Sequence, residues 1–209
     1  MSSVPHTGNV EVFRSRSNKV FAGLAWLVAA VGVVVTAVTG GPGALIGAGP
    51  LLLIGFVGWL LFWMPAVVVH DGGITLENPF RSVAVPWAAL VDVDTRYALT
   101  LVTPGKNYTS WAAPAPGIWG GRNARPEDLK GLPSATYGPG KSVRPGDLKS
   151  TDSGQAAQLV RGRWEALIES GSLETGHAAT TPVTVTCRWT AVGVTTLLLA
   201  ASYWGVAVH

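Results

Sequence analysis

The chain has 209 residues, of which 48% are apolar and only 13% charged, about half the charged share usual in a soluble domain. The formal charge of +3 does not point to nucleic acid, because a duplex binder concentrates Lys and Arg on one face. A single cysteine, Cys187, excludes an intrachain disulfide and reads as a small apolar residue at a membrane boundary. Ten Arg against five Lys, and Val far in excess of Ile, fit a high-GC bacterial genome. The apolar residues gather in three nearly uncharged blocks, which predicts an integral membrane protein of three transmembrane helices with one soluble α+β domain between the second and third.

Residues 1–19 form a cytoplasmic N-terminal segment carrying Arg14, Arg16 and Lys19. The first block, 20–39, is uncharged and spans about 30 Å as a helix, the thickness of a bilayer core. It is longer than the apolar region of a signal peptide, and a second block follows at once. That block, 44–64, has Pro50 near its start and Trp59, Phe62 and Trp63 at its end, where an aromatic belt lies. The connector Gly40-Gly41-Pro42-Gly43 is short and uncharged, so 20–64 reads as a transmembrane hairpin. Gly23, Gly32, Gly43, Gly47, Gly55 and Gly58 supply small surfaces for helix packing.

Residues 65–181 are the soluble domain. From 66 to 113, short runs rich in Val and Thr alternate with turn signals: Asp71-Gly72-Gly73, Asn78-Pro79, and Pro104-Gly105-Lys106-Asn107. The spacing predicts a compact antiparallel sheet. Residues 114–152 are rich in Gly and Pro and read as a long loop, a feature usually functional or mobile. A helix over 153–170 follows, capped by Asp152 or Ser153 and ended by Gly171. Its apolar stripe is Ala156, Val160, Trp164 and Leu167, widened by Leu159 and Ile168, and it packs on the sheet. Trp87 from the sheet and Trp164 from the helix are the expected domain core. The third block, 183–208, is interrupted early by Arg188, which reaches the headgroups. The cations before the first block place the N-terminus in the cytoplasm. Two crossings return the domain there, and a third leaves the C-terminus outside a bacterial plasma (inner) membrane.

The hairpin, followed by Asp71-Gly72-Gly73-Ile74, the turn Asn78-Pro79-Phe80-Arg81, and Val85-Pro86-Trp87 before Leu90 and Val93, resembles the bacterial pleckstrin-homology (PH) domain group found in small membrane proteins. The resemblance covers about residues 20 to 113. It implies a PH-like barrel, with the helix around Trp164 matching the helix that caps one end. The legible strands are fewer than the seven of a full barrel, and the long loop and third span are additions.

No catalytic constellation is visible. The segment 135–142, ATYGPGKS, loosely matches a phosphate loop, but Pro139 removes an N–H and Pro145 follows where a helix should begin, so no nucleotide is expected. His6, His70, His177 and His209 lie far apart with no metal-ligand spacing, so neither metal nor cofactor is expected. The remaining signal is basic: Arg122, Arg125, Lys130, Lys141, Arg144 and Lys149 in the loop, with Trp119 among them, and Arg161 and Arg163 on the helix. Trp119 and the six loop cations are the expected partner- or lipid-binding residues. The function expected is non-catalytic binding, as an accessory subunit of a larger membrane complex, with other integral membrane proteins and lipids as partners. A stand-alone lipid-headgroup sensor is the alternative, and an enzyme comes third.

Overall fold

Apolar residues recur at every second position through 66–113, and in the computed structural model each such run is a strand with one face buried. The structure describes residues 10–117, 125–129, 131–133, 136–137, 143–173, 176 and 178–207. In chain order the main elements are β1 (Glu11–Phe13), α1 (Arg16–Gly40), α2 (Gly49–Gly58), β2 (Ala66–His70), β3 (Gly73–Glu77), β4 (Arg81–Pro86), β5 (Asp92–Asp94), β6 (Ala98–Val102), β7 (Asn107–Pro114), α3 (Asp152–Glu169), β8 (Thr184–Cys187) and α4 (Trp189–Ala207). They fall into two units, a β-rich domain and a set of apolar helices.

The domain contains a five-stranded sheet in the order β1-β2-β3-β4-β8 and a three-stranded sheet in the order β5-β6-β7. The pairings with a defined register are all antiparallel. Asp71 and Gly72 turn the chain so that His70 pairs with Gly73. Gly73 sits at φ 153°, and a Cβ there would strike the carbonyl oxygen of Val85, so this turn requires glycine. Val67, Val69, Ile74, Leu76, Val83, Val85, Leu99 and Leu101 form the core from alternate positions. Trp87, in a 3-10 turn after β4, is 4% exposed and donates its Nε1–H to the carbonyl of His70 at 2.9 Å. An aromatic ring this deep needs such a partner for its N–H.

Helix α3 packs on β1, β2, β5, β6 and β7. Its N-cap is Thr151, whose hydroxyl accepts from the Gly154 N–H at 3.0 Å; the expected caps, Asp152 and Ser153, are the first helical residues. Ser153 instead donates to the Gly146 carbonyl, and Asp152 accepts from the Ser15 hydroxyl. Ser153, Gly154, Ala156, Ala157, Val160 and Arg161 are the buried positions, with Leu159, Trp164 and Leu167 partly buried against the core. Ile168, expected on this stripe, is 43% exposed. The stripe is rotated toward Arg161, because polar atoms from the sheet and the loop receive that guanidinium. Gly171 follows the helix at φ 67°, as the stop signal requires.

Two strands of the larger sheet come from outside the 65–181 limits: β1 precedes the first helix and β8 precedes the last. Three and four residues long, they are below the length at which periodicity separates a strand from a loop.

Among the described residues, α1 is the one helix long and apolar enough to cross a membrane. The expectation of three such helices, at 20–39, 44–64 and 183–208, is corrected accordingly. At 25 residues, α1 is about 37 Å long and takes in the basic residues Arg16 and Lys19. The second block is divided: a 3-10 segment over Pro42–Ala48, the ten-residue α2, and a five-residue π turn over Trp59–Trp63. The run Gly49–Trp63 reaches about 22 Å. In the third block β8 takes the first residues, and α4 follows over Trp189–Ala207. Within this unit α1 packs on α2 and α2 on α4. Gly58 permits the first contact: a Cβ there would lie 2.5 Å from the Cβ of Ala25. Trp26 donates to the Gly55 carbonyl at 3.1 Å, and Phe21 and Trp26 stack near Phe62 and Trp63.

Candidate binding surface

Of the loop residues expected to bind, Trp119, Arg122, Lys130 and Lys141 lie outside the described residues, as does most of 135–142. Arg125, Arg144 and Lys149 are described. The Arg125 N–H donates to the Asp128 carboxylate at 2.9 Å, and the Ser150 hydroxyl donates to the same oxygen at 3.0 Å. The Lys149 N–H reaches the Asp128 carbonyl at 3.5 Å. Asp128 thus ties the turn Pro126–Leu129 to the segment leading into α3. The Arg125 N–H holds its carboxyl below the ordinary value, with the Ser150 hydroxyl acting in the same direction. Arg144 is exposed, but its guanidinium meets Asp94 at 2.5 Å.

The two basic residues of α3 also have carboxylate partners. Arg161 donates to Asp147 at 2.6 Å and to the Val93 carbonyl at 2.5 Å, with Thr136 Oγ1 at 3.3 Å. Thr95 donates to the same Asp147 oxygen at 2.8 Å. This cluster is buried and joins the loop, the sheet and the helix, so Arg161 is unavailable to any headgroup. Arg163 pairs with Asp71 at the β2–β3 turn. Three of the basic residues singled out from the sequence are therefore committed to carboxylates inside the domain.

What remains open is a groove of about 620 Å³ between β1 and α3. Glu11 and Phe13 line one side; Gln155, Gln158, Leu159, Gly162, Arg163 and Ala166 line the other. Two donors there, Gln158 Nε2 and Arg163 Nε, are buried without a hydrogen-bond partner. Leaving a buried donor unpaired costs about 1–3 kcal/mol, and an occupant bearing acceptors would relieve it. β1 is the edge strand of its sheet among the described residues, which presents backbone groups beside the groove. The sequence reading missed this surface because β1 was missed. One signal was available: Gly162 weakens the interior of a helix by about 1 kcal/mol, yet a Cβ there would meet nothing within 4 Å. Core packing does not ask for glycine at this position; an open groove tolerates it.

Among the described residues no group of three or more His, Cys, Asp or Glu is placed to hold a metal. His70 braces its own turn, accepting from the Gly72 N–H and lying 3.3 Å from Thr75 Oγ1. Trp87 lies within the domain core, and Trp164 is half-buried against it.

A scan against family models matches residues 64–147 to one described as a bacterial PH domain. The match takes in β2 to β7 and the loop as far as Asp147, and leaves out the apolar helices and α3. No curated protein and no solved structure matches the chain.

Proposed function

With residues 64–147 belonging to the bacterial PH domain family, we propose that the chain is a membrane-anchored, non-catalytic binding module, an accessory subunit that presents this domain to a partner membrane protein. The observation that carries the reading is the β1–α3 groove with its two unpaired donors. A partner segment lying along β1 would supply acceptors to Gln158 and Arg163 and pair with the strand edge. The lipid-sensing alternative is weakened because Arg144, Arg161 and Arg163 already face carboxylates. That leaves less free charge for a headgroup layer than the sequence suggests.

Anchoring follows from α1, whose surface exposes Phe21, Leu24, Leu27, Val31 and Val35. The pairing of β1 with β2 supports a second crossing in the proposed topology. Phe13, three residues before α1, pairs with Val67, four residues after the π turn. If α1 crosses the bilayer, the chain must return before Ala66 for these strands to meet. The short α2 and its π turn are then the returning limb, aided by flanking aromatic residues and local bilayer thinning. The Arg16 and Lys19 end faces the cytoplasm, and the domain lies on that side of a bacterial plasma membrane.

The test is Gly162→Trp, where a Cβ would meet nothing within 4 Å and the ring would extend into the groove. Photo-crosslinking from position 155 in intact cells should give one dominant membrane-protein adduct, lost in this variant while membrane insertion is unchanged. An undiminished adduct would remove the groove as the docking site. Loss of the adduct only on joint Arg125, Arg144 and Lys149 replacement would move it to the loop.

A further inference from the structure

Asn78 ties the end of β3 to the second sheet. Its Nδ2 donates to the Thr109 carbonyl at 3.0 Å, and its Oδ1 accepts from the Trp111 N–H at 2.7 Å. Ser110 and Ala112 on β7 are buried, so the alternation of the strand sends the Trp111 side chain outward, where it is 51% exposed. The run 107–117 contains no charged residue. β7 is nevertheless the edge of its sheet among the described residues, and exposed edges usually carry charge. Asn78 also leads into Pro79 and Phe80, and Phe80 is 42% exposed. Asn78 thus joins two exposed aromatic residues, Trp111 through hydrogen bonds and Phe80 through the chain.

The register places Asn78 at the end of the larger sheet from which the chain leaves for the apolar helices. Phe13 aligns with Val67, Ala66 with Glu77, and Glu77 with Ser82. Two residues separate Phe13 from α1, and two separate the π turn from Ala66. Neither link can exceed about 11 Å. The Phe80 carbonyl accepts from the Arg188 N–H at 2.9 Å, immediately before α4.

We infer that Trp111 and Phe80 enter the headgroup layer of the bilayer that α1 crosses and hold the PH domain against it. The inference rests on the membrane-anchored reading above. An indole combines an apolar ring with one N–H donor, which suits the boundary between acyl chains and water. This contact requires no free cation, so it stands although the domain's arginines face carboxylates. It reads the boundary and not the headgroup, so neutral and anionic lipids serve equally.

Fluorine NMR of the full chain, made with fluorotryptophan and reconstituted into phosphatidylcholine nanodiscs, tests this. Trp111→Phe identifies the resonance of position 111, and Trp26→Phe identifies that of Trp26 on α1. A lipid bearing a nitroxide just below its glycerol should remove about half or more of the Trp111 intensity, and a water-soluble gadolinium chelate should remove less. Phosphatidylglycerol nanodiscs should give the same result, and Phe80→Ser should lessen the lipid effect. Broadening by the chelate alone would leave the indole in water, and broadening by neither probe would mean that protein covers it. Either result overturns the inference, as does an effect confined to phosphatidylglycerol, and an undiminished effect in Phe80→Ser removes Phe80 from the surface. Trp26 separates this inference from the reading beneath it. Lipid broadening at Trp26 without any at Trp111 removes the interfacial contact alone, whereas broadening at neither removes the anchor as well.

Discussion

The Arg161 guanidinium lies 2.6 Å from the Asp147 carboxylate, with both side chains 95% or more buried (5% and 3% exposed). Asp147 also accepts from Thr95, and Arg161 also donates to the Val93 carbonyl. This pair fastens the end of the long loop to β5 and α3. Desolvating both charges offsets much of the attraction between them, so the pair's net contribution is smaller than its geometry suggests. Breaking it is a different matter. Arg161→Met leaves a carboxylate buried without its cation and should cost about 3–5 kcal/mol. Urea unfolding of the detergent-solubilised chain, followed by Trp fluorescence, measures this. The double variant Arg161→Met with Asp147→Leu should recover most of the loss, and a double variant no more stable than the single one would deny the pair its role.

A pH dependence follows from Asp128. Its carboxyl is held below the ordinary value of 3.8, first by the Arg125 N–H. A depressed folded-state value means that the carboxylate contributes stability above the unfolded value, and that this contribution is lost as pH falls through the folded one. The loop should therefore stay fastened at neutral pH and loosen only below about pH 4. Hydrogen exchange at the Arg125 amide, measured from pH 7 downward after correction for intrinsic rates, should show protection falling in that acid range. Asp128→Asn should remove the pH dependence. Protection lost between pH 7 and 5 would contradict the assignment.

The two core tryptophans should differ. Trp87 is 4% exposed and donates to the His70 carbonyl, so Trp87→Ala should cost about 3–5 kcal/mol. Trp87→Phe keeps most of the ring and leaves the carbonyl without that donor, at about 1 kcal/mol. Trp164 is partly buried at the margin of the core, and its truncation should cost about half as much as that of Trp87. Limited proteolysis across a denaturant series ranks the three. A Trp164→Ala variant less stable than Trp87→Ala would place the weight of the core on the helix.

The strands from β2 to β7 were legible because each is bounded by residues with a physical reason to turn the chain. Asp71-Gly72-Gly73 and Pro104-Gly105 are examples, and the period-2 burial of Leu99 and Leu101 follows between them. Helix α3 was legible from its spacing and from Gly171. Its buried face was not wholly legible, because Arg161 reads as solvent-facing until Asp147, fourteen residues earlier, is seen folded back onto it. The groove was illegible for a related reason. Its floor depends on β1 meeting β2 across more than fifty intervening residues, a pairing that no local pattern announces. The loop cations were visible as charges, but whether a charge is free depends on which carboxylates the fold brings near it.

That long-range pairing gives the most decisive prediction about topology. β1 aligns Val12 with Val68 and Phe13 with Val67, so under the proposed anchoring the segment before α1 and the strand after α2 must share one side of the membrane. On a Cys187→Ser background, single cysteines at exposed positions Val10, Gly43 and Lys106 report on the start of the chain, the hairpin tip and the β6–β7 turn. A membrane-impermeant maleimide applied to intact cells should label position 43 alone, and permeabilisation should expose positions 10 and 106 together. Labelling of 10 and 106 in intact cells with 43 protected would invert the orientation and leave the hairpin in place. Labelling of position 10 on one side and 106 on the other would mean that β1 cannot pair with β2 in the membrane-inserted protein. The second crossing, and the groove that β1 helps to form, would then both fail.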